Sequence, residues 1–296
     1  MAACSFTERL IFRRNVNVTG PGHNQDLAYR AYRVRRNAVR MGQVQGQGYV
    51  AQALDIADVL AVAYFHAMRY RADDPNWEGR DRFLLSNGHY AIAHYAALIE
   101  AGIVPESEIE TYGCDDSRLP MSGMAAYTPG MEMSGGSLGL GLGIAVGKAM
   151  GLKRKNSDSR VYVLFSDGEL DEGSVWEAIM SAAHHKLDNL IAVVDVNNQQ
   201  ADGPSTQMMG FEPLTDKLTA FGWFVLRVDG NDINAVRAAF DAAKAEPSPR
   251  PRMIVADTLM GKGVPFLEAR EKNHFIRVDA HEWQLALDAL DAGRTA

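Results

Sequence analysis

The chain has 296 residues, of which 47% are hydrophobic, and a formal net charge of −7. That length fills one large core or two small ones, and the acidic balance excludes a surface built to neutralise nucleic-acid phosphates. No apolar run approaches the roughly 20 residues that span a bilayer, so neither nucleic acid nor membrane is an expected partner.

The start, "MAACSFTERLIFRR", lacks the basic head, apolar stretch and cleavage site of a signal peptide. The two cysteines, Cys4 and Cys114, are far apart and have no metal-ligand spacing, which fits a reducing cytosol. A cytoplasmic protein is the expectation.

In chain order, residues 1–25 read as an irregular arm, with "NVTGPGHN" rich in turn formers. From about residue 26 the pattern turns helical. "DLAYRAYRVRRNAVRMGQ" carries its basic residues as a solvated helix face. "LDIADVLAVAYFHAMRY" follows with apolar residues at helical spacing and Asp55 in its first turn. Another helix is predicted from Tyr90 to Ala101. "MEMSGGSLGLGLGIAVGKAMGL" is a glycine-rich turn feeding a small-residue helix.

The alternation then becomes regular. Strand "RVYVLFS" precedes helix "SVWEAIMSAAHHKL", and strand "NLIAVVDVN" precedes a polar loop and "PLTDKLTAFG". Strand "WFVLRVDG" precedes helix "INAVRAAFDAAKA", and "PRMIVADTL" closes the series. Apolar strands that each lead into an amphipathic helix predict an α/β fold, a doubly wound parallel sheet flanked by helices. One domain over 1–296 is expected, with a C-terminal helix and tail from about 276.

In such sheets ligands bind beyond the carboxyl ends of the strands. Asp167-Gly168 stands at one strand end, and Asn197 follows one strand–helix–strand unit later. Adjacent strand tips would then offer a carboxylate and an amide oxygen, hard ligands of the kind Mg²⁺ or Ca²⁺ takes. Gly168 and the following helix start would favour an approaching anion. Glu169 reads as an acid favouring the helix start. His184 and His185, neighbours on a helix, make a poor metal pair and read as structural or interfacial.

The block "SDGELDEGSVWEAIMSAAHHKLDNLIAVVDVNNQQADG" resembles the thiamine-diphosphate motif of the transketolase family, with Ser166 where the family has its first glycine. The resemblance implies that Asp167, the Asn197 side chain and the Gln199 carbonyl hold Mg²⁺, with Ca²⁺ a possible substitute, against the cofactor's diphosphate. "RDRFLLSNGHY" resembles the family's Leu-Ser-Lys/Asn-Gly-His element and implies a cofactor- and substrate-facing, catalytic His89. "PGMEMSGGSLGLG" resembles the turn that sets Gly136 and Leu138 against thiamine, with Leu140 replacing the usual Gln. "DTLMGKGVPFLEAREKNHF" resembles the segment that puts His274 beside diphosphate or substrate in a catalytic role. There Met260 and Asn273 replace a Lys and a Trp. The matching glutamates of the family, here Glu172 and Glu177, lie at a subunit interface.

The resemblance covers roughly residues 26–276 and implies the diphosphate-binding (PP-type) half of a split, thiamine-diphosphate-dependent transketolase. A second subunit would carry the pyrimidine-binding and C-terminal domains, in an α2β2 heterotetramer. The reaction implied is transfer of a two-carbon ketol, or a related acyl unit, from a ketose-type donor to an aldehyde acceptor, with sugars or sugar phosphates as substrates. Two family histidines are replaced, one by Tyr49 and one in the Ser122-Gly123 stretch, which implies altered donor or acceptor recognition. The alternatives are the α subunit of a 2-oxo acid dehydrogenase and a non-catalytic thiamine-diphosphate-binding module.

Overall fold

The computed structural model describes residues 23–294, with side chains from Leu27 onward. The expected arm lies outside the described residues except at its end, where helix α1 (His23–Gln45) has already begun. A two-residue strand, β1 (Gln47–Gly48), leads to α2 (Val50–Asp55), α3 (Ala57–Val62) and a wider π turn over Ala63–Ala67. Asp55 therefore closes α2 instead of opening a helix, and Asp58 is the acid in the first turn of α3. The apolar periodicity read as one helix is broken at Ile56, where the backbone leaves helical angles.

Strand β2 (Arg82–Leu85), a short 3₁₀ turn over Gly88–Tyr90 and helix α4 (Ala91–Glu100) follow, then another 3₁₀ turn over Glu106–Thr111. The regular part runs α5 (Leu140–Arg154), β3 (Val161–Ser166), a 3₁₀ turn (Asp167–Asp171), α6 (Gly173–His184) and β4 (Leu190–Val196). It continues with α7 (Ser205–Met208), α8 (Leu214–Ala220), β5 (Phe224–Asp229), α9 (Ile233–Ala245) and β6 (Arg252–Asp257). Helix α10 (Pro265–Glu268), strand β7 (Ile276–Arg277) and helix α11 (Ala280–Ala292) end the described chain.

The main sheet is parallel, in the order β2-β3-β4-β6-β5. The alternation of side chains along each strand divides the interior into two cores. Phe83, Leu85, Tyr162, Leu164, Ile191, Val193 and Ile254 face one core, with α1 to α4, α9 and α11 packed over them. Leu84, Val161, Val163, Phe165, Ala192, Val194 and Met253 face the other, under α5, α6 and α8. Both faces are covered, so the inner strands read as unbroken apolar runs. Strand β5 is an edge, and its exposed Arg227 pairs with Asp257 and Glu212, a charged edge that discourages further pairing.

Two features are not apparent from the sequence pattern. Strand β2 extends the sheet past β3, inside the stretch read only as a motif. The expected tail from 276 is tied down at its start, where β7 pairs antiparallel with β1. Beyond that ribbon, α11 buries Trp283 and Leu290 in the first core.

Candidate active site

The tips of β3 and β4 are direct neighbours, with Ser166 opposite Asp195 in the ladder. Asp167, just past β3, is buried and turns towards the β4 loop. Its Oδ2 accepts the Asn198 backbone N–H at 2.9 Å and the Ser205 hydroxyl at 2.8 Å, and its Oδ1 accepts the Gly168 N–H at 2.9 Å. Burial pushes this carboxyl up to about 6, against those hydrogen bonds, which favour the ionised form. A carboxylate offers about four lone-pair directions, so one remains for a further partner.

Asn197 is also buried, and its amide is oriented by acids. Its Nδ2 donates to Asp195 Oδ2 at 2.8 Å, to the Tyr90 hydroxyl at 2.9 Å and, more weakly, to Asp55 Oδ2 at 3.3 Å. That commits Oδ1 to the opposite side, where it accepts the Gln199 N–H at 3.0 Å. Asp167 and Asn197 are thus brought to neighbouring strand tips, as the spacing predicts, with Gln199, which the resemblance adds, bonded to Asn197. A carboxylate oxygen, an amide oxygen and a main-chain carbonyl suit Mg²⁺ or Ca²⁺, with waters and diphosphate oxygens completing the shell. Among the described residues no group of three or more His, Cys, Asp or Glu could hold a metal by itself. This donor set, with its single carboxylate, is of a different kind and fits the cation.

The support beneath Asn197 is not foreseen in the sequence. Asp195 and Asp55 are completely buried, and burial pushes Asp195 up to about 7 and Asp55 well above the carboxylate range. Tyr90 OH donates to Asp195 Oδ2 at 2.8 Å, and Thr258 Oγ1 bonds Asp195 Oδ1. The available signal is an acid set among the apolar residues of "IAVVDVN", a place where a charge needs partners.

Four aromatic rings gather beside this corner. Tyr49 stands 4.8 Å from His89, 5.6 Å from His274 and 4.9 Å from Phe275, centroid to centroid, and His89 lies 5.4 Å from His274. Gln52 donates to the His274 carbonyl at 2.6 Å and reaches its Nδ1 at 3.3 Å. Burial, then the neighbouring His274, holds His89 down at about 3, and burial likewise lowers His274. Both imidazoles are neutral near pH 7.

The glycine-rich segments form the other wall. Gly88 and Gly135 are in backbone contact; a Cβ on Gly88 would lie 2.5 Å from the Gly135 carbonyl carbon. The Ser122-Gly123 stretch stitches these loops: Gly123 N–H donates to Gly88 O at 3.2 Å, and Gly135 N–H donates to Gly123 O at 2.9 Å. Gly136 and Leu138 are exposed on the same turn.

Glu169 stands in the first turn of the 3₁₀ segment Asp167–Asp171, where it completes a capping box with Ser166, so the helix-start reading holds but covers only part of its role. It is fully buried, and it accepts Ser86 Oγ, the Gly139 N–H at 2.8 Å and the Ser166 N–H at 3.1 Å. Glu172 and Glu177 are exposed on and just before α6, near exposed Met180. His184 and His185 meet edge-on, 4.9 Å apart, at its exposed end. A cavity of about 450 Å³ lies elsewhere, between α1, α9 and α11, and contains none of the cluster residues.

The family model described as transketolase, thiamine diphosphate binding domain, matches residues 29–290. The chain belongs to the transketolase family. It is 70% identical over 275 residues to a transketolase family protein of Sinorhizobium fredii, covering 93% of this chain and 99% of that protein. It is 36% identical to a 6-deoxy-6-sulfo-D-fructose transketolase subunit of Clostridium sp. and 36% identical to an apulose-4-phosphate transketolase subunit of Actinobacillus succinogenes. Each of these alignments covers 90% of this chain and 96% of the relative. The transketolase of Campylobacter jejuni superposes with a TM-score of 0.83 at 29% identity, over 92% of this chain but only 43% of that one. The family match favours transketolase over the 2-oxo acid dehydrogenase alternative. It also agrees with the α/β architecture: this is a transketolase-type thiamine diphosphate-binding domain. Among the described residues no helix is long and apolar enough to cross a membrane.

Proposed function

We propose that this chain is the diphosphate-binding subunit of a thiamine-diphosphate- and Mg²⁺-dependent transketolase that acts only with a second subunit carrying the pyrimidine-binding domain. The observation that carries the reading is the pairing of the β3 and β4 tips, which sets Asp167 beside Asn197 and Gln199. The split arrangement is supported by relatives named as transketolase subunits, 96% of whose length this chain covers. An α2β2 assembly in the cytoplasm is the form proposed.

When bound, thiamine diphosphate supplies the carbanion chemistry for breaking and remaking a carbon–carbon bond. The protein's part is to hold, orient and exclude water. Asp167, Asn197 and the Gln199 carbonyl would hold the cation against the diphosphate. Gly136, Leu138 and Gly168 would shape the cofactor cleft. His89 and His274, neutral and in ring contact, would donate or accept hydrogen bonds to diphosphate and substrate and move a proton to or from a substrate hydroxyl.

Tyr49 would face the substrate in place of a family histidine. Its ring is held by His89, His274 and Phe275, so it presents one hydroxyl from a fixed plane. The substrates are read as a ketose-type donor and an aldehyde acceptor, sugars or their phosphates, with recognition altered at Tyr49. Glu172 and Glu177, exposed as are Leu140, Ile144 and Met180, fit a subunit interface.

The test is a native mass spectrum of the chain purified gently from its own cells with Mg²⁺ and thiamine diphosphate in the buffer. The expected species contains a second, different polypeptide and bound cofactor, and it transfers a ketol unit in a donor screen. A bare homo-oligomer without cofactor would contradict the proposal. Cofactor binding without turnover, with the partner present, would support a non-catalytic module instead.

A further inference from the structure

We infer that Asp195, with Tyr90, is a positioning device that fixes the rotation of the Asn197 amide so that its oxygen, and not its nitrogen, faces the cation. The inference rests on the metal-binding reading given above and deepens it.

An asparagine side chain can turn over at little intrinsic cost, because its oxygen and nitrogen have nearly the same shape. Only the oxygen can ligate a cation; a flipped amide would aim two N–H donors at it. What decides between the two orientations is the set of partners behind the amide. Behind Asn197 all three partners of its Nδ2 act as acceptors, the most distant being Asp55 Oδ2 at 3.3 Å. Asp195 Oδ2 lies 2.8 Å from Nδ2, and the Tyr90 hydroxyl lies 2.9 Å from it. Tyr90 spends its only proton on that same Asp195 Oδ2, at 2.8 Å, so it can meet Asn197 only through a lone pair. A carbonyl oxygen turned to this side would lose both of these acceptors and, with Asp195 ionised, would face its carboxylate oxygen with no proton between them.

The clamp is itself held. Thr258 Oγ1 bonds Asp195 Oδ1, leaving Oδ2 for Asn197 and Tyr90. All of these acceptors sit in a low-dielectric region around the buried Asp195 and Asn197, where a wrong orientation costs more than it would in water. On the opposite side the Gln199 N–H donates to Oδ1 at 3.0 Å, and it would meet another N–H if the amide turned. Both sides of the amide therefore agree on one orientation before any cation arrives. Asp195 lies on β4 and Tyr90 follows β2, so the preorganisation is anchored in two strands of the sheet.

The experiment is calorimetric titration of Mg²⁺ into the full chain, in the assembly in which it purifies, at saturating thiamine diphosphate. Wild type is compared with D195N and Y90F. Removing a partner that orients a metal ligand weakens binding about 10–100-fold. Both variants are expected to fall in that range, with Y90F, which deletes one hydroxyl, at the lower end. A role confined to stability would lower the unfolding midpoint without moving Mg²⁺ affinity. Folded variants that bind Mg²⁺ as wild type does would overturn the clamp; if D195N does not fold, Y90F decides by the same criterion. A wild-type chain that binds neither Mg²⁺ nor thiamine diphosphate would overturn the clamp and the metal-binding reading together.

Discussion

The carboxylate of Glu169 accepts the backbone N–H of Gly139 at 2.8 Å. The same side chain takes Ser86 and the Ser166 N–H, so one buried acid joins the loop after β2, the glycine turn before α5 and the tip of β3. Gly139 adopts a left-handed φ of 82°, and a Cβ there would lie 2.6 Å from Ser174 Oγ, so only glycine fits the turn that presents its N–H. Replacing Glu169 by Gln leaves a single oxygen for three donors. E169Q is expected to lose about 1–3 kcal/mol, the cost of leaving buried donors unpaired. Urea unfolding measures this; an unchanged midpoint would mean that the carboxylate does not bind these loops together.

The backbone contact of Gly88 with Gly135 gives a paired prediction. In G88A the new methyl would lie 2.5 Å from backbone that cannot retreat, and a loss of about 1–3 kcal/mol is expected, together with weaker thiamine diphosphate binding. Gly143, within α5, has open space where its Cβ would stand. G143A is expected to gain about 0.5–1 kcal/mol through helix propensity alone. Thermal unfolding of both variants separates glycines required by contact from those that are not.

Much of this is legible in the sequence, for reasons that particular residues make clear. The apolar runs of β3, β4 and β6 are buried on both faces, and such strands read clearly. Asp167 and Asn197 stand out because a strand tip followed by glycine, and a polar loop after the next strand, are local signals. Asp55, Asp195 and Tyr90 do not, because their roles come from meeting one another across distant segments. Glu169 is legible only in part for the same reason: its helix-start position is a local signal, whereas its partners Ser86 and Gly139 come from distant segments. Strand β2 is hidden because its four residues are too few to show a period.

His94 is completely buried, with its Nε2 2.5 Å from the Tyr64 hydroxyl, and burial holds it down at about 3 against an ordinary 6.5. The unfolded chain therefore takes up this proton first. The contribution to stability is fully present above about pH 6.5 and is lost as pH falls towards 3. Between pH 6 and 5 the wild type should lose about 1 kcal/mol more per pH unit than H94Q, whose amide does not titrate. Equal slopes in urea unfolding at the two pH values would contradict the buried neutral imidazole.

Asp167 gives a second pH dependence, with its own sign. Burial raises its pKa to about 6, and a carboxyl must be ionised to take a cation. Protons therefore compete as pH falls below about 6, and Mg²⁺ affinity should drop by up to about tenfold per pH unit there, levelling off above about pH 7. Calorimetric titration across the range from about pH 5 to 8 reads the effect; a flat profile would exclude Asp167 as the ionising ligand.

Tyr49 separates substrate recognition from cofactor binding. Y49H and Y49A are expected to lower kcat/KM for the enzyme's own donor by about tenfold or more, since each alters the ring plane fixed by His89, His274 and Phe275. Thiamine diphosphate affinity should be unchanged. A Y49H variant that turns over the same donor faster would contradict a recognition role for the tyrosine.

The central claim, that the β3 and β4 tips hold thiamine diphosphate through Mg²⁺, is tested most directly by titrating the cofactor into wild type and D167A, with Mg²⁺ and then with EDTA. The account predicts binding to wild type that requires the metal and is weakened at least about a hundredfold in D167A. Cofactor binding indifferent to EDTA and to Asp167 would contradict it.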